Sequence, residues 1–379
     1  MQRLVHKPRY SAFFATILTV FTATTVNATP SSSTHFAQYT SSSNVEIQYP
    51  DVDAVLDISV IELGASNREL AERPLGSTGT RLKKRVNRLT ALESNRVYFE
   101  NFNKQNYRKY LDDVTASLAE LPDEAPLKLF NKNEQLAYWL NLYNMTLLRE
   151  MAYNQSDENI KYEFANERNS DFFNRDVLTI EGQALSLNDI KYDIVLNNFK
   201  GNENVIYGFF TGVIGGPSLQ PKAFTGKNVL GQLKSIGREF VNSNRGTYYN
   251  GRVSALYARY ADFFDGENKP ALIQAHILKY IEDDMRKSIE QAAPSELNMD
   301  IVDFSKAALF DDRVYAAGLS YNRAPLMLTH PELTVGFDNL RFSFDDIQVL
   351  REINRKYNTA RGAVTVNDLS ESEATSTEK

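Results

Sequence analysis

The stretch NEQLAYWLNLYNMTLL, Asn133–Leu148, constrains this chain more than any other segment. From Glu134 to Tyr153 apolar residues occupy most of a helix circumference instead of one stripe. A helix of that kind belongs in the middle of a fold, with other elements around it. Trp139, the only tryptophan, and Tyr143 are spaced by four and share one face; Asn141 and Asn144 are spaced by three and share another. Asparagine lowers helix propensity and is costly to bury without partners. The pair therefore either braces a neighbouring backbone segment, the commoner use of a buried amide, or faces a cleft.

Around this helix the pattern alternates between helical and short extended segments. Tyr107, Leu111, Val114, Leu118 and Leu121 mark an amphipathic helix over Lys104–Leu121. VLTIEGQALSL, Val177–Leu187, predicts two short strands around Gly182, and Ser186 with Asp189 resembles a capping box that opens a helical turn. NVIYGFFTGVI, Asn204–Ile214, predicts a buried strand, and Val229, Leu230, Leu233, Ile236 and Phe240 a helix after the glycine turn. Pro270–Ala292 predicts one more helix with Pro270 in its first turn. LTVGFDNLRFSF suggests a hairpin, and Ser343 with Asp346 caps a last helix to Tyr357. The expected fold class is α+β: a helix-rich single domain with short, mainly antiparallel strands.

The ends differ from the middle. Arg3, Lys7 and Arg9 precede the apolar run Ala12–Val26, and Val26-Asn27-Ala28 places small residues where a signal peptidase cuts. Residues 1–28 are expected to be a signal peptide, with cleavage after Ala28 and a periplasmic or secreted protein as the outcome. Its apolar run is short for a membrane span. Losing it removes three basic residues and no acidic ones, taking the formal charge from −6 to −9. An acidic chain is a poor partner for nucleic acid or anionic lipid. Residues 29–46, rich in serine and threonine, are expected to be a flexible leader, and 363–379 a disordered tail. The one dense basic run, Arg81–Arg88, suits a solvated helix face.

The chain has no cysteine. Disulfides, thiolate metal sites and a thiol nucleophile are thereby excluded, and no cofactor is expected. Gly216 is followed by Pro217 and Ser218, without the lysine of a phosphate-binding P-loop. The spacing of Gly208, Gly212, Gly215 and Gly216 is not that of a dinucleotide fingerprint. Asp262 and Asp265 lack the alternating carboxylates of a calcium loop, and the paired aspartates, such as Asp112-Asp113, suit solvated surface. No Gly-x-Ser-x-Gly elbow is present. His276 falls on an apolar helix face, where a histidine is more often packed than catalytic, and His330 precedes Pro331 in a loop.

AYWLNLYN, Ala137–Asn144, resembles the hallmark helix A-F-W-[IL]-N-x-Y-N of the domain of unknown function 547 family. The likeness continues through Gln183–Leu196, through VIYGFFTGVIGGPSLQPKAF and through Val253–Phe264, and covers roughly 97–309 of an expected domain at 47–310. Residues 311–362 are then expected to be a C-terminal extension packed on the domain. Where relatives carry Glu-His this chain has Lys191-Tyr192, and where they carry Arg-Ile-His it has Val205-Ile206-Tyr207. Their two cysteines fall on Gly212 and Gly216, and an arginine on Gln220. Tyrosine, with a pKa near 10, does not replace imidazole at neutral pH. The resemblance therefore implies a non-catalytic binding or structural protein of the periplasm or envelope, with no catalytic residue assigned. Its expected pocket is formed by Asn141, Asn144, Tyr192, Tyr207, Gly216 and Ser218, for a small molecule, glycan or peptide. One alternative is a hydrolase with His276 or His330 as base and Ser218 as nucleophile. Another is an envelope protein-interaction module acting through 311–362.

Overall fold

The computed structural model describes residues 32–71, 87–154, 160–282 and 285–309. The expected signal peptide, the extension at 311–362, the tail, His330, the hairpin and helix beyond 330, and most of the basic run at 81–88 lie outside the described residues. Among the described residues no helix is long and apolar enough to cross a membrane.

The central helix is Lys132–Tyr153. Asn131 caps it, accepting from the Asn133 and Glu134 backbone N–H groups at 3.0 Å each. From Glu134 to Leu148 every residue is buried, as the all-round apolar pattern requires. The Gln105–Glu124 helix packs along it, and the Tyr138 hydroxyl donates to the Leu118 carbonyl at 3.0 Å between the two. The Val229–Val241 helix also packs against the central helix. A β-carbon at Gly208 would stand 2.7 Å from Leu140 and 2.8 Å from Leu233, so glycine is what lets those two helices and the intervening loop meet.

The strands are short, in keeping with a helix-rich α+β fold. β1 (Val60–Ile61) pairs antiparallel with β2 (Arg96–Val97). β3 (Asp176–Ile180) pairs antiparallel with β4 (Gln183–Ser186). Their turn needs left-handed backbone at Glu181 (φ 47°) and Gly182 (φ 74°). β5 (Thr247–Tyr248) pairs antiparallel with β6 (Arg252–Ser254), which pairs parallel with β7 (Asn298–Ile301). Ser186 and Asp189 form the expected reciprocal cap: Ser186 N–H donates to the Asp189 carboxylate at 2.8 Å, and Asp189 N–H to Ser186 Oγ at 3.1 Å. The turn it opens, Asp189–Val195, is π-helical.

Three expectations change. Asn204–Ile214 is not a strand: Glu203–Tyr207 is a 3₁₀ helix, and the residues after it run irregularly. The helix expected over Pro270–Ala292 is two, Lys269–Leu278 and Met285–Gln291. Folded structure also begins before residue 47, because Phe36 is in the core with its ring 4.9 Å from that of Trp139. The next few residues are tied down as well, with Thr40 N–H donating to the Phe130 carbonyl at 3.0 Å.

Candidate functional site

The two asparagines of the central helix hold backbone. Asn141 donates through Nδ2 to the Phe224 carbonyl at 2.8 Å and accepts through Oδ1 from the Phe224 N–H at 3.0 Å. Asn144 donates to the Gly208 carbonyl at 3.0 Å and accepts from the Phe210 N–H at 2.9 Å. Each amide supplies the donor and acceptor that a neighbouring strand would otherwise provide. Of the two uses open to these residues, the structure places them in bracing.

Lys191 and Tyr192 project from the π-helical turn into a buried ion cluster. The Lys191 ammonium is 2.5 Å from one Glu167 oxygen and the Arg259 guanidinium 2.5 Å from the other. The Tyr192 hydroxyl donates to Glu167 at 3.3 Å. The ammonium also lies over the rings of Tyr143 and Phe209, 4.7 and 5.3 Å from their centroids. Burial lowers the Lys191 pKa to about 8, with the Glu167 charge resisting the change. For Glu167 burial pushes upward, but the Lys191 and Arg259 cations outweigh it and hold the carboxyl below its usual range. At neutral pH the pair is ionised.

Tyr207 belongs to a second closed set. Its hydroxyl is 3.0 Å from the Tyr257 hydroxyl and 2.9 Å from His276 Nε2, and its ring stacks on the imidazole with centroids 5.7 Å apart. Gly237 packs close against the same ring; a β-carbon there would be 2.6 Å from it. Burial pushes the Tyr207 phenol well above its ordinary pKa. Burial, and then the nearby Lys279 charge, lower His276 to about 4. His276 Nδ1 is buried without a partner, so the favoured tautomer carries its proton on Nε2 and donates it to Tyr207.

The glycine turn is filled, not vacant. A β-carbon on Gly216 would fall 1.7 Å from Thr211 Oγ1, and one on Gly212 would fall 2.7 Å from the Met151 sulfur and from the Phe164 ring. Gly215 N–H donates to the Asp303 carbonyl at 3.0 Å, and Ala307 N–H to the Gly212 carbonyl at 2.9 Å. The last described segment is thus sewn onto the turn. Buried Arg245 donates to the Gly216 carbonyl at 2.8 Å and to Ser218 Oγ at 3.0 Å, and its other end meets the Glu239 carboxylate at 2.5 Å. Ser218 Oγ also accepts from the Asn95 N–H at 3.2 Å and shares a 3.2 Å hydrogen bond with Ser94. A serine facing a guanidinium has no base to activate it. The imidazole of His276 is engaged with Tyr207 instead, so the Ser218–His276 pairing is not built.

The six residues expected to form a pocket therefore sit in four separate internal arrangements, and only Tyr192 among them is more than marginally exposed. Open space among the described residues is found elsewhere. A groove of about 390 Å³ lies at the start of the central helix. Tyr39, Ser41, Ser43, Asn44 and Glu46 come from the N-terminal segment, Asn131 to Glu134 from the helix start, and Gly226 and Lys227 from the loop before the next helix. Asn131 holds the Ser43 carbonyl at 3.1 Å, Gln135 the Gln38 carbonyl at 2.8 Å, and Lys227 pairs with Glu46 at 2.7 Å. A β-carbon on Gly226 would overlap Glu134, so this glycine brings the loop against the groove wall. Sequence patterning missed this site because its residues are polar and come from distant segments. Their only joint signal is the capping asparagine before an apolar helix. Among the described residues no cluster of histidines and carboxylates could hold a metal ion.

The model of a family described as Protein of unknown function, DUF547 matches residues 127–241, and over that stretch the chain is similar to the family. It runs from the approach to the central helix, through the β3–β4 hairpin and the glycine turn, to the end of the Val229–Val241 helix. It also includes every groove residue from Asn131 onward. No curated protein and no solved structure matches the chain.

Proposed function

We propose that this chain is an exported protein that binds a small polar ligand without transforming it, in the periplasm or the cell envelope. Export rests on the basic start, the apolar run and the small residues before Thr29. One contrast carries the binding reading. Lys191, Tyr207 and Ser218, the side chains best suited by type to chemistry, have their polar atoms taken by Glu167, His276 and Arg245. Polar side chains around an open space gather instead at the start of the central helix.

A thermal-shift screen of the chain from Thr29 onward, using periplasmic metabolites, oligosaccharides and peptides, tests this. A ligand held only by the folded state at about one hundred times its Kd adds about 2.7 kcal/mol. The expected result is a hit whose shift disappears in Asn133→Ala. Turnover of the hit would refute the non-catalytic part. Fractionation of cells expressing the full chain tests the address: processed protein beginning at Thr29 is expected outside the cytoplasm, and unprocessed cytoplasmic protein would contradict it.

A further inference from the structure

We infer that the groove takes a neutral saccharide of one or two rings, lying against Tyr39 and hydrogen-bonded by Asn44 and Asn133; this rests on the groove being the ligand site.

The lining excludes the other common ligand classes in turn. An anion would be drawn to the start of the central helix, but two of the N–H groups at that end, on Asn133 and Glu134, already bind Asn131 Oδ1. The Glu134 carboxylate at the same end repels negative charge. A metal cation finds Glu46 engaged with Lys227 and Glu134 accepting from the Ile47 N–H. A lipid or other apolar ligand finds no aliphatic side chain in the lining. Two lysines, Lys132 and Lys227, balance two carboxylates, Glu46 and Glu134, so the groove carries no net charge to select an ion.

What is left suits a ring with hydroxyls. The side chains of Asn44, Asn133 and Ser41 have no protein partner among the described residues. A carboxamide offers a donor and an acceptor side by side, which matches a pair of adjacent hydroxyls on a sugar. Tyr39 is 48% exposed at the rim, and its ring gives the C–H face of a pyranose an apolar surface. The Lys132 ammonium, 5.9 Å from the Tyr39 centroid and 5.5 Å from that of Phe199, helps fix the tyrosine in place. The volume lies near the lower limit for small-molecule sites, roughly 300 Å³, and fits a mono- or disaccharide better than a long chain.

The test is saturation-transfer NMR and titration of the chain from Thr29 with cellobiose, maltose and diacetylchitobiose, with inorganic phosphate as the anionic probe. At least one disaccharide is expected to bind saturably and phosphate not to bind. Tyr39→Ala should weaken that disaccharide about fivefold or more, and the double variant Asn44→Ala/Asn133→Ala should abolish binding. These side chains lie at the surface, and circular dichroism confirms that the variants fold. Binding of phosphate in place of every disaccharide, no binding by any of them, or affinity unchanged in both variants would overturn the inference. A screening hit of another class that Asn133→Ala removes would overturn the saccharide and leave the groove as the ligand site. A hit that Asn133→Ala leaves intact would overturn the groove itself.

Discussion

His276 should make the protein sensitive to mild acid. It is buried against Tyr207, Phe264 and Tyr280, with Tyr257 one hydrogen bond beyond and Lys279 the nearest charge. Its Nδ1 has no acceptor to meet a second proton, so the fold resists protonation and the pKa falls from 6.5 to about 4. The unfolded chain has no such constraint. Between those values it takes up a proton that the native state refuses, and stability is lost as pH falls. Each pH unit of the gap is worth about 1.4 kcal/mol, so the full loss is about 3 kcal/mol and the loss at about pH 5 is about 2 kcal/mol. Urea unfolding of the wild type and of His276→Gln at neutral pH and at about pH 5 measures it. Carboxylates titrate alike in both proteins, so the difference between the two isolates the histidine. The wild type should lose about 2 kcal/mol more than the variant over that interval. With four histidines in the chain, NMR can also follow the imidazole directly. Parallel losses in the two proteins, or a His276 resonance titrating near its ordinary value, would refute the burial argument.

Two further perturbations test the other internal networks. Lys191→Met leaves Glu167 buried with Arg259 as its one remaining cation, and should cost about 3–5 kcal/mol in chemical denaturation. Adding Glu167→Gln should restore part of the loss, and a cost below about 1 kcal/mol would show that the pair contributes little. Gly216→Ala puts a methyl group on Thr211 Oγ1 and should cost about 1–3 kcal/mol by overpacking. An unchanged unfolding midpoint would mean that the turn has room which the contacts deny.

The central helix, its Gln105–Glu124 neighbour, the β3–β4 turn at Gly182 and the Ser186–Asp189 cap were legible because each is written in local spacing or turn chemistry. The segment Asn204–Ile214 misled because apolar β-branched and aromatic residues fit a buried strand and a buried irregular loop equally well. The deciding partner is the Asn144 amide, which takes the Gly208 carbonyl and the Phe210 N–H and removes the need for a ladder. The break after Leu278 has the same kind of cause. Asn242 donates to the Tyr280 carbonyl and accepts from the Glu282 N–H, so the chain leaves the helix with its polar groups satisfied. Sequence shows that such asparagines need partners but not which distant backbone supplies them. The glycines at 212 and 216 were open to two uses, a ligand's approach or a side chain's, and Met151, Phe164 and Thr211 occupy the space. The groove was invisible for a related reason: the segment carrying Tyr39 to Glu46 has a linker's composition, and only its hydrogen bonds to the central helix make it a wall.

Where a ligand sits can be decided by one comparison: the ligand-induced rise in melting temperature in Asn133→Ala beside that in Tyr207→Phe. Asn133 lies in the groove, and Tyr207 in a closed network with Tyr257 and His276. The shift should vanish in Asn133→Ala and persist in Tyr207→Phe. A shift kept in Asn133→Ala and lost in Tyr207→Phe would place the ligand at the glycine turn and contradict the groove as the binding site.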